Sequence, residues 1–427
     1  MIEKCDDVDS GEREVRDLSA PARPHPISIA LLTGAADRHY AFGLATALMS
    51  KGVVLDLIGG DDLDDPQFHG KSDVKFLNLR GSQRTDVSFT RKVFRVLAYY
   101  VKLVGYAVSA SPKIFHILWN NKFETLDRTL LMLYYKFLGK KIVLTVHNVN
   151  AGRRDSKDTR LNRFTLRIQY QLADHLFVHT QKMRSELTEE FGVQPALITV
   201  IPFGINNAVP NTRLTPREAK EKLGIDDTKK TILFFGHIAP YKGLEYLVAS
   251  FKRILGRDDD YQLIIAGRPK NCETYWTAIQ DDIREVESGR ILLKADFIPD
   301  EETEVYFKAA DVVVLPYRHI YQSGVLFLAH SFGLPVIAAD VGSLKDDIVE
   351  GMTGFLFTPE DPIELAKAIE CYFASELYAD LKDHRQEIRD YATEQHSWDV
   401  VSELTCGVYG KLLERNIVMR NNGPLTR

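Results

Sequence analysis

Ile232-Leu-Phe-Phe-Gly-His-Ile-Ala-Pro-Tyr-Lys-Gly-Leu-Glu-Tyr-Leu247 is the stretch on which the reading of this chain turns. Ile232–Phe235 is a short apolar run stopped by Gly236, as expected of a buried strand. From Gly243 the apolar residues recur at helical spacing as far as Leu255. Between the two glycines lies a loop with one permanent cation, Lys242. Amides at a helix start and an ammonium group both stabilise negative charge, so strand, loop and helix together suit a diphosphate. A plain surface turn with a lysine would look the same, so the reading depends on what surrounds it.

Apolar runs alternate with helix-length segments over most of the chain. Ile29–Leu32, Val53–Ile58, Ile114–Leu118, Ile142–Val146, Leu176–His179 and Leu197–Ile201 read as strands in the first half. Gln262–Ala266, Ile291–Lys294, Val312–Leu315, Pro335–Ala338 and Gly354–Phe357 continue the series after Ile232–Phe235. Repeated βα units predict an α/β protein with parallel sheets covered by helices on both faces. The series breaks at 204–215, where Gly, Pro, Asn and Thr dominate. The expected division is a disordered tail over 1–26, a Rossmann-like domain over 27–205 and a linker over 206–215. A second Rossmann-like domain over 216–396 and a helix over 397–415 complete it. Ligands of such sheets sit beyond the carboxyl ends of the strands, so two facing domains imply a cleft.

A second anion-competent turn supports the first. Ala310-Asp-Val-Val-Val-Leu-Pro-Tyr317 reads as a buried strand, and a new helix opens at Ser323-Gly324. Ser323 suits an N-cap, and Gly324 allows a ligand close to the backbone, where the first-turn amides are unpaired. A merely structural capped helix is the alternative, but two such turns in one domain weigh more than either alone.

With 427 residues, 45% apolar and 26% charged, the composition is that of a globular protein large enough for two domains. The N-terminal segment is acidic and lacks an apolar core, so it is not expected to be a signal peptide. Cys5, Cys272, Cys371 and Cys406 are far apart without metal-ligand spacing, which fits a reduced, cytoplasmic setting. Between Arg91 and Arg167, 16 Lys/Arg stand against 4 Asp/Glu, a net +12, while the remainder carries −17. That asymmetry implies an anionic partner for the first half. Phe94, Leu97, Tyr100, Val101 and Val104 form an apolar face flanked by Arg91, Arg95 and Lys102, so residues 91–108 could rest on an anionic membrane. A core helix with a basic solvent edge fits the same pattern. No RNA-binding motif accompanies the charge, and nucleic acid is not expected.

The ordered series Ile201-Pro-Phe-Gly204, Phe235–Gly243, Ile265-Ala-Gly267, Ala310-Asp311, Pro316-Tyr317, Ser323-Gly324, Gly333–Gly342 and Gly351–Phe355 resembles the family 4 glycosyltransferases. The resemblance covers most of 27–415 and is stronger in the second half. It implies a GT-B fold, two Rossmann-like domains around a cleft, and retaining, metal-independent transfer of a hexose from a nucleotide-diphosphate sugar. The acceptor would be a lipid-linked or glycan molecule, the setting cell-envelope polysaccharide synthesis at the inner face of the membrane. Where residues match, it assigns the donor phosphates to Lys242 and the amides of Ser323, Gly324 and Val325; Gly236, His237, Gly267 and Arg268 complete the expected donor site around them. It gives catalytic roles to Lys242 and to His147 in Thr145-Val-His-Asn148, and acceptor contacts to Gly34 and Asn148. No cofactor or metal is implied; Asp62-Leu-Asp64 and Asp258–Asp260 read as solvated loop charge. The closing helix, 397–415, would cross back to the first domain.

Two departures matter. His237 stands where the family usually has an arginine, and imidazole is mostly neutral at pH 7. The family's paired glutamates fall at Ile320 and Leu328, so neither carboxylate is present. Gln322-Ser-Gly324 resembles a variant found in one branch, and Arg268 and Lys270 are candidates to supply the missing charge. A subunit without turnover, or a sugar-nucleotide epimerase of the same architecture, remain the alternatives.

Overall fold

The computed structural model describes residues 26–421 apart from 35–36, 83–87, 156, 207–208 and 271. Most of the expected N-terminal tail lies outside the described residues.

The first half builds a sheet from β1 (Ser28–Leu32), β2 (Val54–Gly59), β3 (Val74–Asn78), β4 (Ile114–Ile117), β5 (Lys141–Thr145), β6 (His175–Val178) and β7 (Ile198–Val200). Their order is β3-β2-β1-β4-β5-β6-β7, and every pairing is parallel. The second half adds β8 (Lys230–Phe235), β9 (Tyr261–Ala266), β10 (Ile291–Lys294), β11 (Val312–Leu315), β12 (Val336–Ala339) and β13 (Gly354–Phe357). These pair in parallel in the order β10-β9-β8-β11-β12-β13. Parallel strands covered on both faces need apolar side chains on both, which is why Val312-Val-Val-Leu315 is buried throughout. Alternate residues of one strand serve opposite layers: Ile232 and Phe234 join one cluster, Leu233 the other.

Each sheet reverses its strand order once, between β1 and β4 and between β8 and β11. At such a switch point the loops leaving the two central strands diverge and open a crevice. The loops after β1, β8 and β11 carry most of the residues singled out above.

Trp398–Asn421 is one helix that returns to the first half. The Trp398 indole N–H donates to the Ile205 carbonyl at 2.9 Å. Buried Val401, Tyr409 and Leu412 share a cluster with Leu44 and Leu48 of α1 (Arg38–Ser50). Burying a side chain of that size contributes roughly 1.5–3 kcal/mol each, which ties the chain end to the first sheet.

α2 (Phe89–Ser109) keeps Tyr99, Tyr100 and Leu103 buried. Phe94, Leu97, Val101 and Val104 are exposed, Phe94 by 75%. The expected apolar face therefore looks outward, except for Tyr100, whose hydroxyl bonds buried Asp127 at 2.9 Å. Edge strand β3 and the helix Glu273–Arg284 were not anticipated: the strand is only five residues long and is interrupted by Lys75, and the helix is mostly polar. No helix among the described residues is long and apolar enough to cross a membrane.

Candidate functional site

A cavity of about 420 Å³ lies where the two switch points face each other. Gly236, His237, Lys242, Gly267, Arg268, Ser323, Gly324 and Val325 all line it. Their convergence has a backbone cause. Gly267 has φ +143°, and a Cβ there would lie 1.9 Å from the Gly236 carbonyl oxygen. The ends of β8 and β9 can approach this closely only with glycine at that position.

Lys242 is buried although it ends a turn. Its Nζ donates to the Tyr317 hydroxyl at 2.9 Å and sits 4.7 Å from that ring's centre. Burial lowers the proton affinity of the ammonium, and the positive charge of Arg154 adds to the effect. The Ser323 hydroxyl also turns to Tyr317, at 3.4 Å. It occupies the N-cap position of α3 (Gly324–Ser331) but caps no amide with its side chain, a departure from the expected cap. The first turn of α3 therefore begins at the cavity with its partial positive charge uncovered by Ser323.

His237 keeps one face in solvent. The protein around it, and then the cations Lys270, Lys242 and Arg268, push its imidazole down to about 4. It is neutral at pH 7 and adds no charge. Arg268 stands 6.0 Å from the centre of the exposed Phe297 ring. Ile320 and Leu328, where the resemblance leads us to expect carboxylates, line the same cavity.

Three first-half residues at this cavity escaped the sequence reading as site residues: Asp37, His39 and Arg154. Asp37 caps α1, accepting from the amides of His39 at 2.9 Å and Tyr40 at 3.2 Å. An Asx residue closing a glycine-bearing loop before a helix was the available signal. Asp300, on the second half, binds Arg38 at 2.7 Å and His39 at 3.2 Å. Arg154, seen earlier only as part of the basic block, reaches across to lie 4.7 Å over the Tyr241 ring.

His147, Gly34 and Asn148 do not line this cavity. His147 stacks on Trp119 at 4.0 Å with the planes 5° apart, and its Nδ1 is 3.1 Å from His179 Nε2. Burial, with His179 and His116 next to it, holds His147 well below the ordinary histidine range. Gly34 has φ +63°, and a Cβ there would be 2.3 Å from the Trp119 carbonyl oxygen. His147 and Gly34 thus gather around Trp119. His116 is wholly buried between Tyr409 and Thr145, at 2.6 and 2.7 Å.

A second cavity of about 410 Å³ adjoins the first and shares Arg154 and Ile320 with it. Arg153, Glu186, Glu190 and Tyr321 line it. Among the described residues no group of three His, Cys, Asp or Glu is placed to hold a metal ion. Asp258, Asp259 and Asp260 pair with Lys230, Arg290 and Lys229 instead.

Comparison with known proteins agrees with this architecture. Residues 38–209 match the model described as Glycosyltransferase Family 4, and residues 229–375 the one described as Glycosyl transferases group 1. The chain is 28% identical over 275 residues to a D-inositol 3-phosphate glycosyltransferase of Corynebacterium diphtheriae, covering 62% of each protein. To the protein of that name from Geodermatophilus obscurus it is 30% identical over 216 residues, covering 47% of this chain and 46% of the relative. The matches thus span less than two thirds of these relatives. Among solved structures, sucrose-phosphate synthase from Thermosynechococcus elongatus superposes with a TM-score of 0.71 at 19% identity, over 91% of this chain and 99% of that one. Anabaena HepE in complex with UDP and glucose gives a TM-score of 0.70 at 15% identity, over 90% and 100%. At such identities the structural likeness speaks for the fold alone. Over residues 38–209 and 229–375, the chain therefore belongs to the family 4, group 1 glycosyltransferases of GT-B fold.

Proposed function

We propose that this protein transfers a hexose from a nucleotide-diphosphate sugar, with retention and without a metal, and that the cavity between its halves holds the donor. The observation that carries the reading is the meeting of Lys242, the uncapped start of α3 and the glycine turn at Gly236 in one cavity. Departure of the diphosphate concentrates negative charge, and fixed donors aimed at it lower the barrier electrostatically. Lys242 and the α3 amides would take the phosphates, with Gly236, Gly267, His237 and Arg268 around them. HepE has been solved in complex with UDP and glucose and with UDP-glucose, so a uridine nucleotide is the first to try here. His147 toward the transferred sugar, and Gly34 and Asn148 toward the acceptor, stay part of the proposal by resemblance alone, since none of the three lines this cavity.

The acceptor in this reading is lipid-linked or a growing glycan of the cell envelope, met at the inner face of the membrane. Its support is the outward face of α2, where Phe89, Phe94, Val101 and Val108 are each more than 60% exposed. The Tyr134 hydroxyl bonds the Val104 carbonyl at 3.0 Å, so exposed Leu133 and Phe137 extend the same band. Arg91 and Lys102 flank it, the composition that suits an anionic bilayer.

Ile320 and Leu328 at the cavity favour a second reading, a partner subunit that binds the nucleotide without turnover. Assaying release and transfer of sugar across UDP-, GDP- and ADP-sugars separates the two. Turnover of any of them supports the enzyme; nucleotide binding with no turnover supports the subunit. No binding and no turnover overturns both.

A further inference from the structure

In the second half, the cation expected where His237 stands is missing, and the imidazole there is neutral. A cation reaches the same cavity from the other half. Arg154 ends the short helix Ala151–Arg154 beyond β5, and its guanidinium lies 4.7 Å over the ring of Tyr241, the neighbour of Lys242. Arg154 lines the cavity together with Lys242, Ser323 and Gly324.

The side chain is held rather than free. Its Nε and one terminal nitrogen donate to Asp155 at 2.7 and 3.0 Å. A guanidinium has five N–H donors in a rigid plane, so a carboxylate on one edge leaves the other terminal nitrogen available for phosphate oxygens. Stacking on Tyr241 fixes the plane. Asp37 is the carboxylate that shares the cavity from the same half, and it is engaged by the amides at the start of α1.

We propose that Arg154 is a donor-phosphate residue supplied by the first half, replacing the cation absent at His237. The phosphate site is then complete only when the halves close on each other, so the nucleotide acts as the bridge that favours closure. This rests on the reading of the cavity as the donor site.

Calorimetric titration with UDP, GDP and ADP, and with the matching monophosphates, tests it on the full chain. For the diphosphate that binds best, Arg154→Ala should weaken affinity about tenfold or more, as expected for loss of a charge-assisted hydrogen bond. The matching monophosphate should lose less, and Arg154→Lys should recover part of the loss. Arg153→Ala, whose partners are Glu186 and Glu190 in the adjoining cavity, serves as the loop control and should bind like the parent. Equal diphosphate affinity in the parent and in a folded Arg154→Ala protein overturns the role of Arg154 while leaving the donor site standing. Equal losses for diphosphate and monophosphate overturn it too. Failure of the parent to bind any diphosphate removes the donor site and this inference together.

Discussion

The Tyr317 hydroxyl stands 2.9 Å from Lys242 Nζ and receives the Ser323 hydroxyl at 3.4 Å, so one phenol joins the lysine to the start of α3. Two segments 75 residues apart are thereby held in a fixed relation before any ligand arrives. Tyr317→Phe removes that acceptor but keeps the ring. Its expected effect is a loss of about 1 kcal/mol or more in stability from the buried ammonium left unpaired, with a several-fold lower kcat/KM. Chemical denaturation and steady-state kinetics on the same preparation check both.

Lys242→Ala should lower kcat about 100-fold or more, the scale on which single preorganised donors act, while circular dichroism stays unchanged. Because burial lowers its proton affinity, the rate should fall with rising pH below the ordinary lysine range. A rate profile flat through that range would contradict the role of the ammonium. Arg268→Ala, in contrast, should raise the donor dissociation constant; an unchanged constant removes Arg268 from the site.

Closure of the cleft should depend on His39. Burial disfavours its charge, but the hydrogen bond and charge of Asp300 outweigh this and raise its proton affinity. The His39–Asp300 contribution is present at pH values below the ordinary histidine range and is lost as pH rises through the raised value. Asp300→Ala should give a larger radius of gyration with donor present, and a donor KM raised several-fold. Since Arg38 and Asp300 are partly exposed, the effect on folding stability should be small. Identical scattering curves for parent and variant would exclude the latch.

Acid should unfold this protein early. Burial holds His116 and His330 down to about 3, and His179 and His396 down to about 4. The unfolded chain takes up these protons near pH 6.5 and the folded one does not, so stability is full above that value and falls as pH drops. The melting temperature should decline between pH 6.5 and 4, and His330→Met should flatten the decline.

Much of this site was legible along the chain because its residues lie just after strong strands. Phe235-Gly236 and Ala266-Gly267 announce themselves by an apolar run ending in glycine, and their close approach follows from adjacent parallel strands. Arg154 was legible only as charge. What places it over Tyr241 is how the two halves face each other, a contact 87 positions apart that no local pattern encodes. Asp300 is hidden for the same reason: it begins an ordinary helix, and its partners Arg38 and His39 belong to the other half. The neutral state of His147 depends on Trp119 and His179, which converge on it from neighbouring strand ends.

If the exposed face of α2 meets a bilayer, a charge placed there should abolish the contact. Phe94→Asp with Val101→Asp should remove flotation on vesicles containing anionic lipid at low salt, and leave nucleotide affinity unchanged. Equal flotation of parent and variant, or none by the parent, would end that part of the proposal.

Whether Lys242 and the start of α3 hold the donor phosphates is decided by a crystal structure of the full chain soaked with UDP. The diphosphate is expected in the cavity between the halves, its oxygens within hydrogen-bond distance of Lys242 Nζ and the Gly324 and Val325 amides. UDP bound with its phosphates directed away from these groups, or in a different cavity, would contradict it.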